Sequence, residues 1–182
     1  IAIAEELMRR APESRVLFIT TGRSVEQKVL EDKPFETAGI LAAGFKGVGL
    51  WRKLGALTVL PGGFFQSMGL LKRFSADAVL GMGAYSSAPV VIAAYLTGVP
   101  RFIHEQNRIA GMTNRWLARF ADRVFVSFQD TDMGCKAGKI VYSGNPVRSD
   151  IRGCAHARMK AGKKRSTKPF TVLVLGGSQG AH

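Results

Sequence analysis

The chain has 182 residues, 46% hydrophobic and 21% charged, a balance that excludes a disordered or low-complexity polymer and provides one full domain with a buried core but no second one. Lys and Arg number 26 against 13 Asp and Glu, a net charge of +13, so the surface suits nucleic acid, anionic lipid or phosphorylated substrates. Cys135 and Cys154 are too few for a disulfide framework and lack metal-type spacing, which reads as two unpaired thiols in a reducing cytosol. No apolar run reaches the roughly 20 residues that cross a bilayer, and no signal-peptide pattern opens the chain.

Ile1, Ala4, Leu7 and Met8 recur at helical spacing with Glu5, Glu6, Arg9 and Arg10 between them, which predicts an amphipathic helix. A start without Met inside a helix, and a stop just after a glycine turn, lead us to expect that both ends are cut. Residues 15–20 predict a short strand ending at Thr21-Gly22, and 24–30 a helix with Ser24 as a candidate N-cap. Residues 44–74 mix Leu50, Trp51, Leu54, Leu57, Phe64, Phe65, Leu70 and Leu71 with Lys46, Arg52, Lys53, Lys72 and Arg73, and Pro61-Gly62-Gly63 is expected to break the segment into two short helices. Apolar residues beside basic ones suit an anionic leaflet, where each basic residue adds ~1 kcal/mol. The alternative is packing on a sheet; most of the apolar residues are expected to do that, with Trp51 and neighbours such as Leu54 the candidates for lipid contact.

Further strands are predicted at 77–81, 99–103, 123–127 and 139–142, with helices near 89–96 and 113–120. Near-continuous apolar strands alternating with helices imply a parallel sheet covered on both faces, a doubly wound α/β domain over residues 1–151. A basic linker follows at 152–168. Residues 169–182 then read as the first strand and phosphate loop of a second such domain.

In this architecture ligands lie beyond the carboxyl ends of the strands, and the polar residues gather there. The turn at 81–89 (GMGAYSSAP) leads from a strand into a helix, where exposed N–H groups bind an anion or Ser86 or Ser87 simply caps. His104-Glu105-Gln106-Asn107 puts four hydrogen-bonding side chains in a row, a density that suits a polyhydroxylated ligand, although any one of them can be a satisfied structural group. Gly144-Asn145-Pro146-Val147-Arg148 presents a guanidinium for a phosphate or a surface salt bridge. Gly176-Gly177-Ser178-Gln179-Gly180-Ala181 fits a diphosphate-binding turn or a ligand-free tight turn.

The ordered set GMGAYSSAP, HEQNRIAGMTNRWLARFADRV, SGNPVRSDI and VLVLGGSQGA resembles the MurG family, two-domain GT-B transferases of glycosyltransferase family 28, over essentially the whole chain. The resemblance implies transfer of N-acetylglucosamine from UDP-N-acetylglucosamine to lipid I, giving lipid II in peptidoglycan synthesis, by attack of an acceptor hydroxyl on the anomeric carbon with inversion. It implies no bound cofactor, no metal, no nucleic-acid partner, and a peripheral location on the cytoplasmic face of the bacterial inner membrane. By resemblance Asn107, Arg148 and Ser178 bind the donor, Tyr85, Ser86, His104 and Glu105 serve the acceptor, and Trp51 and Leu54 touch the membrane. The family's first glycine loop, with its candidate catalytic histidine, is expected upstream of Ile1, so the 182-residue chain is expected to be inactive by itself. Where the family carries glycines this chain has Ala84 and Ala88, which weakens phosphate approach unless both have negative φ. Two alternatives stand beside this reading: another GT-B lipid or sterol transferase, and a basic nucleic-acid-binding module, the latter suggested by charge alone.

Overall fold

The computed structural model of the chain describes residues 1–22, 29–41, 50–83, 85–149, 151 and 153. The predicted helix at 24–30 falls mostly outside them, as do nearly all of the basic linker, Cys154 and the strand and glycine turn at 169–182. The chain divides into two compact units, Ile1–Pro146 and Val147–His182.

The first unit opens with α1 (Ala2–Arg10), which buries Ala4 and exposes Glu6 between Arg9 and Arg10. β1 (Leu17–Thr20) pairs in parallel with β2 (Glu36–Gly39), in a register running from Leu17 opposite Glu36 to Thr20 opposite Gly39. β2 carries Glu, Thr, Ala and Gly, with no apolar run to mark it, and only its pairing with β1 makes it a strand.

α2 (Leu50–Phe74) is one helix with Pro61 inside it, which corrects the expected break at Pro61-Gly62-Gly63. The glycine serves close approach rather than termination. The carbonyl of Leu41 occupies the space that a Cβ on Gly63 would need. Gln66 Oε1 accepts from the Leu41 N–H at 2.8 Å, and Ser67 donates to the Gly63 carbonyl at 2.7 Å. Contacts with the incoming chain thus hold the segment helical where local preference would interrupt it.

β3 (Val79–Gly81), α3 (Ser87–Thr97), β4 (Arg101–Glu105), α4 (Met112–Leu117), β5 (Arg123–Val126), a 3₁₀ turn (Ala137–Lys139) and β6 (Ile140–Tyr142) follow. These four strands form a parallel sheet in the order β3-β4-β5-β6. The parallel α/β architecture is as predicted, although the described strands form two ladders rather than a single one. β4 lies two residues later than predicted, because α3 ends at Gly98 in the left-handed region (φ 74°) and the Val99 N–H turns back to the Ala94 carbonyl. His104 and Glu105 therefore end the strand instead of following it.

α3 packs along α2. Its Val90, Val91, Ala93 and Ala94 are buried with Leu71 of α2, Ile103 of β4, Leu117 of α4 and Val124 and Val126 of β5, and Ile19 of β1 packs on the same core. Small alanines let the two helices approach, and the branched residues fill the sheet face. No helix among the described residues is long and apolar enough to cross a membrane.

Candidate functional site

The carboxyl ends of β3 and β4 bring two loops side by side: the glycine loop after Gly81 and the turn at 104–107. His104 and Glu105 are buried at 3% and 1% exposure, at the end of a strand whose Phe102 to Glu105 pair with Arg123 to Val126 of β5. Such depth excludes bulk water from the Glu105 carboxylate and demands partners for it. Four donor contacts meet that demand. Oε1 accepts from the Asn107 backbone N–H at 2.9 Å and from Asn107 Nδ2 at 3.1 Å. Oε2 accepts from the Gly111 N–H at 3.0 Å and from Asn114 Nδ2 at 2.9 Å. Burial pushes the carboxyl upward in pKa, but the bonds from Asn107, Asn114 and Gly111 outweigh it, and the group is held below the ordinary carboxylate range.

Glu105 therefore spends its hydrogen bonds inside the protein, folding the chain from 105 to 114 around one charge. Asn107 is carried on the outer side of that turn, exposed, with its amide orientation set by the Nδ2 bond. Thr131 Oγ1 lies 3.4 Å from the Asn107 carbonyl, and ion pairs of Arg108 with Asp130 (2.6 Å) and Arg115 with Asp132 (2.7 Å) tie the loop after β5 to the same segment.

His104 Nε2 lies 3.2 Å from the Gly144 carbonyl. A carbonyl only accepts, so Nε2 carries the proton, while buried Nδ1 has no partner. Gly144 has φ 71° and begins the 144–148 segment. The guanidinium of Arg148 belongs to the second compact unit, Ser178 lies outside the described residues, and Trp51 and Leu54 lie on α2 with side chains outside the described set.

On the glycine loop Gly83 has φ 94°, a conformation that favours glycine. The Gln106 Nε2 donates to the Met82 carbonyl at 3.1 Å, strapping this loop to the 104–107 turn. Tyr85 and Ser86 are half-buried where the loop enters α3. Ser86 occupies the N-cap position with αR backbone and makes no capping bond, so simple capping does not account for its hydroxyl. Ala88 stands in the first turn of α3, a helical φ that meets the condition set by the sequence; Ala84 lies outside the described residues.

The structure thus brings Tyr85, Ser86, His104, Glu105 and Asn107 to one edge of the sheet. Sequence reasoning missed Asn114 and Gly111, which complete the shell around Glu105. Asn114 carried a signal: it stands three residues before buried Leu117 on the inward face of a short helix, where a polar side chain is out of place. Cys135 is a free, half-buried thiol. Among the described residues no group of three or more His, Cys, Asp or Glu is arranged to hold a metal ion.

The N-terminal domain of glycosyltransferase family 28 matches residues 1–126. A protein of Syntrophus aciditrophicus named UDP-N-acetylglucosamine--N-acetylmuramyl-(pentapeptide) pyrophosphoryl-undecaprenol N-acetylglucosamine transferase is 47% identical over 182 residues, all of this chain and 49% of that protein. A Geobacter sulfurreducens protein of the same name is 40% identical over 182 residues, covering all of this chain and half (50%) of its own length. The chain thus spans about half the length of the relatives it matches. Among solved structures, Acinetobacter baumannii MurG superposes with TM-score 0.62 at 29% identity, over 82% of this chain and 42% of that one. A Neisseria meningitidis UDP-GlcNAc 2-epimerase superposes at 0.59 with 16% identity over 87% of this chain and 46% of that one, a likeness of fold alone. With the parallel sheet, the loops at its carboxyl edge and a family match over more than half of its length, this chain belongs to glycosyltransferase family 28.

Proposed function

We propose that this chain forms the acceptor-side part of an N-acetylglucosaminyltransferase that moves N-acetylglucosamine from UDP-N-acetylglucosamine to an undecaprenyl-diphosphate-linked muramyl acceptor, lipid I. The observation that carries this is a glycine loop strapped by Gln106 to a polar turn at the carboxyl edge of a family 28 sheet, the turn folded around the buried Glu105 carboxylate. In this reading the glycine loop, with Tyr85 and Ser86, takes the acceptor diphosphate, because the positive end of the α3 dipole and a hydroxyl free of capping suit phosphate oxygens. Asn107 offers an amide to the donor, and Arg148 and Ser178 supply a guanidinium and a hydroxyl to its diphosphate and sugar. Glu105 and His104, both buried, shape the cleft: the first folds the turn that carries Asn107, and the second ties the end of β4 to Gly144.

The same reading places the protein peripherally on the cytoplasmic face of the inner membrane, without nucleic acid as partner. Phe65 is 68% exposed on the helix that carries Trp51 and Leu54, which supports an apolar contact there.

Grafting this chain into the Syntrophus aciditrophicus relative in place of the matching 49% of that protein, with the relative's own sequence kept on both sides, tests the activity. Labelled N-acetylglucosamine should pass from UDP to lipid I, and Asn107→Ala should raise the donor KM roughly tenfold, the worth of one hydrogen bond to a charged group. A folded chimera that transfers nothing refutes the reading. The 182-residue chain by itself is expected to give no turnover.

A further inference from the structure

The glycine loop and the 104–107 turn leave different strands, yet one side chain that belongs to neither lies between them. Asn114 on α4 is 1% exposed. Its Nδ2 donates to the His104 carbonyl at 3.1 Å and to Glu105 Oε2 at 2.9 Å. Both partners are acceptors, so the amide can sit only one way round. Gly83 lies against the same amide: a Cβ there would come 2.8 Å from Nδ2 and 3.4 Å from Cγ. The loop backbone is therefore seated directly on the amide.

Asn114 Oδ1 is buried without a partner. Burying an unpaired carbonyl oxygen is unfavourable, and leucine would fill the same volume without that penalty. Packing alone does not explain an asparagine here; the two donor bonds do.

We propose that Asn114 is a positioning residue that locks the glycine loop to the 104–107 turn, so that the two halves of the candidate site keep a fixed register. Gln106, donating to the Met82 carbonyl, is the outer strap of the same joint. The consequence for catalysis, fixed spacing between acceptor and donor groups, rests on the transferase reading; the joint itself does not.

The test is amide hydrogen exchange in the 182-residue chain, corrected for intrinsic rates. Asn114→Asp keeps the shape but sets a second carboxylate against Glu105. Among the described residues its titratable bonding partners are Glu105, through the carboxylate, and His104, through the carbonyl, with the imidazole held on Gly144; Arg115, its neighbour on α4, has its guanidinium committed to Asp132. Two carboxylates in contact share a proton in acid and repel when both ionise.

At pH 7.5 residues 82–86 and 106–111 should both exchange about tenfold faster than in the parent chain, the equivalent of ~1.4 kcal/mol for a lost charge-assisted bond. At pH 5 a shared proton should return both segments toward the parent rate. Asn114→Leu should loosen both segments at either pH. Loosening of one segment alone, an Asp variant equally loose at both pH values, or a Leu variant that exchanges like the parent would each overturn the proposal. Because no ligand enters these measurements, their failure leaves the transferase reading standing, and a silent chimera leaves the joint standing.

Discussion

Glu105 and Glu6 are both carboxylates held below their ordinary pKa, and they show how differently that shift can arise. Glu6 lies at the surface, partly covered by its partners, and hydrogen bonds from Arg9 and Arg10 bring it from 4.5 to about 2; such surface pairs contribute little to stability. Glu105 is buried, and the same direction of shift comes from donors of its own turn and from α4. Its folded pKa lies below the unfolded one, so its contribution is present above the ordinary value of 4.5 and is lost as pH falls through the folded value. Glu105→Gln replaces one acceptor oxygen by an NH2 that faces other donors. The variant should unfold about 2–3 kcal/mol more easily at pH 7, on the scale of hydrogen bonds to a charged group, and the gap should narrow by pH 3. Urea titrations at the two pH values measure it, and equal stability at pH 7 would remove Glu105 from its organising role. The row His104 to Asn107 stood out in the sequence by its polar density alone. What the sequence did not disclose is the division of labour within it: the donors from Asn107, Gly111 and Asn114 hold Glu105 inward, while Asn107 itself remains outside.

Helix α2 shows why elements were less legible than motifs. Pro61-Gly62-Gly63 has every local property of a helix break, and the helix runs through it because Gly63 faces the backbone of Leu41 and needs to be bare. β2 failed to show for a related reason, since Glu36 to Gly39 become a strand only beside β1. The parallel strands at 79–81, 123–126 and 140–142 were legible because each carries a short apolar run in the chain itself. Two glycines on α2 separate local preference from packing. Gly69 is exposed with nothing within 4 Å of an added Cβ, so Gly69→Ala should stabilise the protein by about 0.5–1 kcal/mol. Gly63→Ala drives a methyl into the Leu41 carbonyl and should destabilise it by about 1–3 kcal/mol, the usual cost of overpacking. Thermal melts of the two variants should shift in opposite directions. A neutral Gly63→Ala would mean that Leu41 can move away freely, and the continuity of the helix would then need another cause.

At the scale of the whole molecule the question is what a net charge of +13 is for. Charge alone suits a membrane surface and a nucleic acid equally, and apolar exposure distinguishes them. α2 exposes Phe65 and ends on Lys72 and Arg73, while α3, packed along it, exposes Tyr95 and Leu96. Large apolar groups beside basic ones gain from insertion into an anionic leaflet, whereas phosphate contacts along a duplex use the charge and leave Phe65 idle. The chain should therefore float with vesicles containing anionic lipid and release them as salt rises, with each basic residue near the surface worth ~1 kcal/mol. Phe65→Ser keeps every charge and removes a side chain whose burial is worth about 1.5–3 kcal/mol, so vesicle partitioning should fall roughly tenfold to a hundredfold while any salt-dependent retention of DNA on filters stays as it was. Vesicle binding that ignores Phe65, together with DNA affinity that falls steeply with salt, would move the charge from the membrane to a nucleic acid and remove the peripheral location from the proposal.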